Sequence, residues 1–450
     1  MASDKPSVSF IGLGAMGFGM AANLVKEGYA VTGFDLYGPT LDRFKQVGGS
    51  TATKPTEAVA SSLHCVCMVA TAQQAQDVIL DNENAAIKTL PQGAVLYLCS
   101  TVPCTYVQDL EKQLASRGRG DVHLIDCPVS GGAARAANGT LSIMAGGSDA
   151  AIGKGRDILQ TMADPAKLYI VAGGIGAGSN MKMVHQVLAA NQILASSEAM
   201  GFASHLGLDL PVVASKIVQT EGWSWMLENR LPRMLDENHL PLASALTIIL
   251  KDTSIITSEA RRCKFPAPMT STAEQVYFTG LGRGFGPDDD SGLIRLYTES
   301  KGRNGAITST TSTEDARLDL VTDLLRGIHV CSAIEALAFA HSVGLDLDQV
   351  FELCINAAGG SSVLSSYGPE VIQTLRQRSG TGDQGAAKQE SGLLQSIMQG
   401  LLAAIDEAQR LKVSVFLGST AFNILQSAAQ AGSKTGHSLE IGSLVQTWVS

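Results

Sequence analysis

Aromatic residues make up only 5% of the 450 residues, and no apolar run approaches the ~20 residues of a membrane span. Basic residues are scarce too: 33 Lys and Arg stand against 42 Asp and Glu, a formal net charge of −9. That balance, without a basic run, argues against nucleic acid or an anionic membrane as the main partner. The eight cysteines (65, 67, 99, 104, 127, 263, 331 and 354) lack a disulfide-framework spacing. Several sit in apolar runs, as in His64-Cys65-Val66-Cys67-Met68, where thiols behave as small core residues. A reducing, cytoplasmic setting is therefore expected, with no transit or signal segment ahead of the first apolar strand near Ser7. What the chain does have is 45% hydrophobic residues against 17% charged, enough for real cores, and 47 glycines. Wholesale disorder is excluded, and the glycines suit α/β layers and closely packed helices.

Short apolar runs alternate with helical patterns over the first ~175 residues. Candidate strands are 7–11, 30–34, 64–69, 94–100, 123–129, 141–145 and 168–171, with helices such as 17–27 and 106–117 between them. This alternation predicts a Rossmann-like α/β domain with a largely parallel sheet, over residues 1–176. After Gly173-Gly174-Ile175-Gly176 the texture turns helical, and 180–206 reads as one long helix. A first helical domain spans 177–298, a Gly/Ser/Thr-rich linker 299–314, and a second helical domain 315–450. The second repeats the first. Residues 198–210 (EAMGFASHLGLDL) and 335–347 (EALAFAHSVGLDL) agree at eight of thirteen positions. Ser271-Thr272-Ala273 returns as Ser419-Thr420-Ala421, at an offset of 148 rather than 137 residues. Two matches in the same order predict two tandem all-α domains with an insertion between the matches.

Three motifs carry chemistry. Gly12-Leu13-Gly14-Ala15-Met16-Gly17 places GxGxxG between a strand and a helix. Such a turn brings backbone N–H groups and a helix N-terminus to a pyrophosphate. Asp35 ends the next strand, eighteen residues after Gly17, where a carboxylate accepts from ribose hydroxyls and repels a 2′-phosphate. NAD is thus expected over NADP. The second motif, Asp126-Cys127-Pro128-Val129-Ser130-Gly131-Gly132, exposes a hydroxyl and successive N–H groups suited to a carboxylate, or forms a simple turn. In the third, Lys182, His185 and Gln186 lie at i, i+3 and i+4 on one helical face. Taken alone, Lys182 reads as a solvated helix lysine; converging on a nicotinamide site, a lysine, an imidazole and an amide would suit alcohol–carbonyl chemistry.

These three motifs in this order, followed by a helical domain, resemble the β-hydroxyacid dehydrogenase family over about residues 6–298. The family includes 3-hydroxyisobutyrate dehydrogenase, tartronate semialdehyde reductase and L-threonate dehydrogenase. The resemblance implies that Lys182 is the catalytic acid–base, taking the hydroxyl proton on oxidation and returning it on reduction. It implies that Ser130, Gly131 and Gly132 bind the substrate carboxylate. Val69, Ala70 and Thr101 match the loops around the nicotinamide half, and Lys251 matches a lysine that closes over the cofactor. Many members carry two asparagines where this chain has His185-Gln186. That pair, with Trp223-Ser224-Trp225-Met226-Leu227-Glu228-Asn229-Arg230, is more similar to the L-threonate dehydrogenase branch. A four-carbon sugar acid is the favoured substrate, with 3-hydroxyisobutyrate or tartronate semialdehyde chemistry as the alternative.

In the C-terminal repeat Lys182 becomes Asp319, and Lys251-Asp252 becomes Gln399-Gly400. The repeat is therefore expected to be catalytically silent. Helical domains of the family pair between subunits, so the repeat is expected to supply that pairing within one chain. A homodimer stays open beside it. A non-catalytic dinucleotide-binding interaction module is the competing class, and an imine reductase a third. No metal site is expected: Asp288-Asp289-Asp290 reads as a turn or helix-cap run.

Overall fold

The computed structural model describes residues 5–299, 313–378, 393–435 and 439–449. The expected linker at 299–314 lies almost wholly outside the described residues. The chain divides into two compact units, Met1–Lys182 and Met183–Ser450.

The first unit is built on a nine-stranded sheet. Its strands are β1 (Val8–Ile11), β2 (Val31–Phe34), β3 (Ser50–Thr51), β4 (His64–Cys67) and β5 (Val95–Leu98), followed by β6 (His123–Asp126), β7 (Val129–Ser130), β8 (Leu141–Gly147) and β9 (Ala163–Ile170). The order is β3-β2-β1-β4-β5-β6-β8-β7, with β9 against β8. The first six strands run parallel. β1 and β5 are buried at every position, as a sheet covered on both faces requires. Alternation then sorts the side chains: Phe10, Val66, Tyr97 and Ile125 join one core, while Ile11, Cys67, Leu96 and Leu98 join the other.

Two departures from the sequence expectation have plain causes. The run 123–129 is two strands, because Pro128 has no N–H to give a ladder. β7 and β6 then pair antiparallel with β8. β3 is two residues, Ser50 and Thr51, too short and too polar to announce itself.

The second unit is helical throughout its described residues. Its helices recur in matched order: Leu210–Ile217 with Leu347–Ile355, Trp225–Met234 with Ser362–Arg378, Leu246–Arg262 with Leu393–Leu411, and Pro268–Gly282 with Phe416–Thr435. Each copy opens on a helix of 29 residues, Ala177–His205 and Glu314–Ser342. These are buried on all sides from Met181 to Ser204 and from Gly327 to Ala340, as core helices are.

Contacts between the copies are reciprocal. Ser224 and Ser361, equivalent at the 137-residue offset, form an antiparallel bridge. Around it, the Trp225 N–H donates to Gly360 O (2.9 Å) and the Ser362 N–H to Trp223 O (3.1 Å). The hydroxyls of Thr272 and Thr420, equivalent at the 148-residue offset, lie 3.0 Å apart. Glu198 accepts from the N–H groups of Leu417 (2.8 Å) and Gly418 (3.3 Å). Its counterpart Glu335 accepts from those of Met269 (2.8 Å) and Thr270 (2.9 Å). Residue i meets j, and the equivalent of j meets the equivalent of i, which is the signature of a twofold relation. Each glutamate closes the amino-terminus of a helix in the other copy, where N–H groups lack intrahelical partners.

Burial pushes the Glu198 carboxyl up to about 8 and that of Glu335 up to about 7, from an ordinary 4.5. Above pH 4.5 the folded chain therefore holds protons that the unfolded chain has released. The stability those protons carry is complete below pH 4.5 and is lost as pH rises through 7 and 8. Urea midpoints should therefore fall between about pH 5.5 and about pH 8.5. The fall should be shallower in a Glu198→Gln, Glu335→Gln double variant, and equal slopes would contradict the assignment. Glu335→Ala, which strands two buried N–H groups, should cost about 1–3 kcal/mol.

Candidate active site

Parallel strands deliver their carboxyl ends to one edge of a sheet, and there the expected cofactor residues gather. Gly12 follows β1 with φ +92°, a left-handed conformation that a side chain would strain. Its N–H donates to Phe34 O at 2.9 Å. A Cβ on Gly17 would run into Gly12 O, so only glycine lets the helix Ala15–Lys26 start so close to β1. Gly14 differs: a Cβ there would meet nothing within 4 Å. Gly14 is also the N-cap of that helix and offers no side-chain acceptor, which leaves the first-turn N–H groups for an anion. Ala15 is exposed and Met16 half-buried in that turn.

Asp35 follows β2. Its carboxylate accepts from Leu13 N–H (2.7 Å) and from Tyr37 N–H (2.8 Å), tying the glycine turn to the strand end. Lone pairs remain on both oxygens for ribose hydroxyls. The nearby Arg43 lies over the Phe18 ring, 4.5 Å from its centroid, rather than waiting for a 2′-phosphate. Val69 and Ala70 follow β4; their N–H groups donate to Ser100 Oγ and Gln74 Oε1, each at 2.9 Å. Thr101 follows β5 and is half-buried. An open glycine, an uncapped helix start and a diol-accepting carboxylate fit NAD.

Ser130 ends β7, opposite Ser142 of β8. Gly131 (φ +139°) and Gly132 (φ +76°) follow, exposed, and open the short helix Gly132–Asn138. Lys182 sits in the second turn of the helix Ala177–His205 and is 5% exposed.

In the second unit, His185, Gln186 and Lys251 belong to one polar chain. Gln186 Nε2 donates to Asp252 Oδ2 at 2.6 Å, and Lys251 Nζ pairs with Asp252 Oδ1 at 3.1 Å. The Asp252 carboxylate only accepts, so the Gln186 amide must turn its NH2 toward it and its Oε1 toward His185. Gln186 Oε1 is 3.1 Å from His185 Nδ1. That nitrogen therefore carries a proton, donated to the amide oxygen. Asp252 holds this chain in place, though its sequence context showed only a carboxylate beside Lys251. Asp126 is likewise fully buried without an apolar reason.

The second copy has lost this arrangement. Asp323 stands where Gln186 stands, and Gly400 where Asp252 does. A Cβ on Gly400 would lie 2.5 Å from the Asp323 carboxyl. Asp323 pairs with Arg326 at 3.2 Å, and Arg326 with Glu221 at 2.7 Å. The acids at 288–290 are also committed: Asp288 pairs with Arg295, Asp289 with Arg233 and Asp290 with Arg230. No group of three or more potential metal ligands is found among the described residues.

Residues 7–174 match the profile of the NAD binding domain of 6-phosphogluconate dehydrogenase. Residues 176–297 and again 318–444 match that of the NAD-binding domain of NADP-dependent 3-hydroxyisobutyrate dehydrogenase. The chain belongs to the β-hydroxyacid dehydrogenase family. It is similar to the L-threonate dehydrogenase of Pectobacterium atrosepticum, 35% identical over 292 residues, which are 65% of this chain and 94% of that one. A solved 3-hydroxyisobutyrate dehydrogenase from Salmonella typhimurium superposes with TM-score 0.60 and 30% identity, over 65% of this chain and all of that one. Plasmodium falciparum 6-phosphogluconate dehydrogenase shares the fold over 94% of this chain and 92% of its own, with TM-score 0.67 and 18% identity. This family member is an NAD-dependent dehydrogenase acting on the CH–OH group of a hydroxy acid.

The two loop glycines of this dehydrogenase should respond differently to side chains. Gly14→Val should melt within a few degrees of the native chain yet lose NADH affinity by roughly tenfold or more, in a fluorescence titration. Gly17→Ala should lower the melting temperature itself, because its methyl meets backbone.

Proposed function

We propose that the dehydrogenase oxidises a four-carbon sugar acid such as L-threonate, with Lys182 as acid–base. The observation that carries the substrate class is the polar chain from Lys251 through Asp252 and Gln186 to His185. Its amide, carboxylate and imidazole groups suit a substrate rich in hydroxyls and offer nothing to a methyl group. The relatives named L-threonate dehydrogenase support the same reading.

The Ser130 hydroxyl and the N–H groups of Gly131 and Gly132 hold the substrate carboxylate. Gly12–Gly17, Asp35, Val69, Ala70, Thr101 and Lys251 hold the cofactor. NAD held there would supply the hydride acceptor for the carbinol carbon. Lys182, entering the step as a neutral amine, hydrogen-bonds the reacting hydroxyl and takes its proton, becoming an ammonium as the carbonyl forms. In the reverse direction it returns that proton. His185 and Gln186 orient the neighbouring hydroxyl.

The organisation we propose is a cofactor domain at 1–176, a catalytic helical domain at 177–298 and a silent helical copy at 315–450. The silent copy takes the place of a partner subunit's helical domain, as the reciprocal glutamate caps support. The eight free thiols support a reducing location, the cytoplasm.

Lys182→Ala should lower kcat by roughly 10²–10⁴ while NADH affinity stays near native; near-native turnover removes the assignment. Steady-state rates with L-threonate, 3-hydroxyisobutyrate and D-glycerate rank the substrate, and preference for 3-hydroxyisobutyrate overturns the sugar-acid reading. A fragment ending at residue 300 should dimerise or aggregate in sedimentation, and a soluble, fully active monomer would overturn the partner role of the copy.

A further inference from the structure

One carboxylate of the first unit holds a helix that it does not belong to. Asp126 ends β6 and is completely buried. Its Oδ2 accepts from the Ser179 N–H at 2.7 Å, and its Oδ1 from the Ser179 hydroxyl, also at 2.7 Å. Ser179 lies in the first turn of the helix Ala177–His205, three residues before Lys182, so the two share one face of that helix. The backbone is held just as closely. A Cβ on Gly178 would run into the carbonyl oxygens of Asp126 and Met144, and one on Gly146 would lie 2.8 Å from Gly178 N. The helix start therefore rests directly on β6 and β8, with a bidentate carboxylate fixing how far it is rotated. A helix amino-terminus, with its free N–H groups and positive dipole end, is the place where a buried carboxylate is best satisfied.

We propose that Asp126 is a positioning residue for catalysis, setting the rotation and height of the first helical turn so that the Lys182 amine meets the reacting oxygen. This rests on the reading of Lys182 as acid–base. Asp126 touches neither substrate nor cofactor in this role and acts through Ser179. Burial pushes its carboxyl up to about 6, against hydrogen bonds from Ser179 and Gly176 that favour the charged form. Near neutral pH it is therefore ionised, the form in which each oxygen accepts most strongly.

The experiment compares Asp126→Ala, Asp126→Asn, Ser179→Ala and Lys182→Ala in the full chain, by kinetics, NADH titration and amide hydrogen exchange over residues 178–183. Asp126→Ala should lower kcat about 100-fold with KM and NADH affinity within about threefold of native. Its exchange at Ser179 should rise. Asp126→Asn should recover most of kcat, because the Asn oxygen still accepts from the Ser179 N–H and its NH2 donates to the hydroxyl. Ser179→Ala, which keeps the N–H bond, should cost roughly tenfold and decides the matter if Asp126→Ala does not fold. Native kcat in Ser179→Ala and Asp126→Ala, beside an inactive Lys182→Ala, overturns the positioning role and leaves the acid–base reading intact. Loss of NADH affinity in step with kcat overturns it as well, since a general disturbance of the first unit would do that. Native turnover in Lys182→Ala removes both.

Discussion

A carboxylate taken out of water must find donors that cost the fold little, and in this protein three of them find the same ones. Asp126, Glu198 and Glu335 are all fully buried, and each accepts from the first amides of a helix in another segment. Helix amino-termini carry N–H groups that have no intrahelical acceptor, so the acid's need and the helix's surplus cancel. The pairing is also specific, since removing the acid strands donors and removing the helix strands a buried carboxyl group. Three buried acids thus decide where three helices begin: the one that carries Lys182, and one in each helical copy.

Much of the first unit was legible in the sequence. Strand, glycine turn, helix and Asp35 are local features, and their chemistry follows from spacing alone. What escaped was whatever depends on distant neighbours. Pro128 splits a run that reads as one strand, and its missing N–H matters only because β8 runs alongside. The long helix reads as 180–206, yet it begins at Ala177, since the absence of a Cβ on Gly178 is what admits it against β6 and β8. The helical duplication was legible from two short matches, whereas its reciprocal contacts were not, because equivalence along a chain does not say which equivalents touch.

The candidate site divides along the same line. Lys182, His185 and Gln186 stand out as a helical face. Asp252 does not, because an acid beside a lysine on a helix is most often solvated, and only the 2.6 Å bond from Gln186 shows that it orients the amide facing His185. Asp126 hides for the opposite reason: it terminates an apolar strand, where an acid looks like the first residue of a turn. In the second copy, Gly400 and Asp323 explain the silence physically. The acid has moved to the facing helix, and its charge is spent on Arg326.

The bridge between Ser224 and Ser361 has a consequence of a different kind. When two identical chains meet at a twofold axis, one mutation strikes the interface twice and dilution can pull the partners apart. Here both faces are encoded separately and tethered, so each can drift alone and association is independent of how much protein is present. The two sides already differ: Thr270 adds a hydroxyl bond to Glu335, while its equivalent, Gly418, offers Glu198 only backbone. Within one chain the two sides of this contact are separate addresses that evolution can edit one at a time.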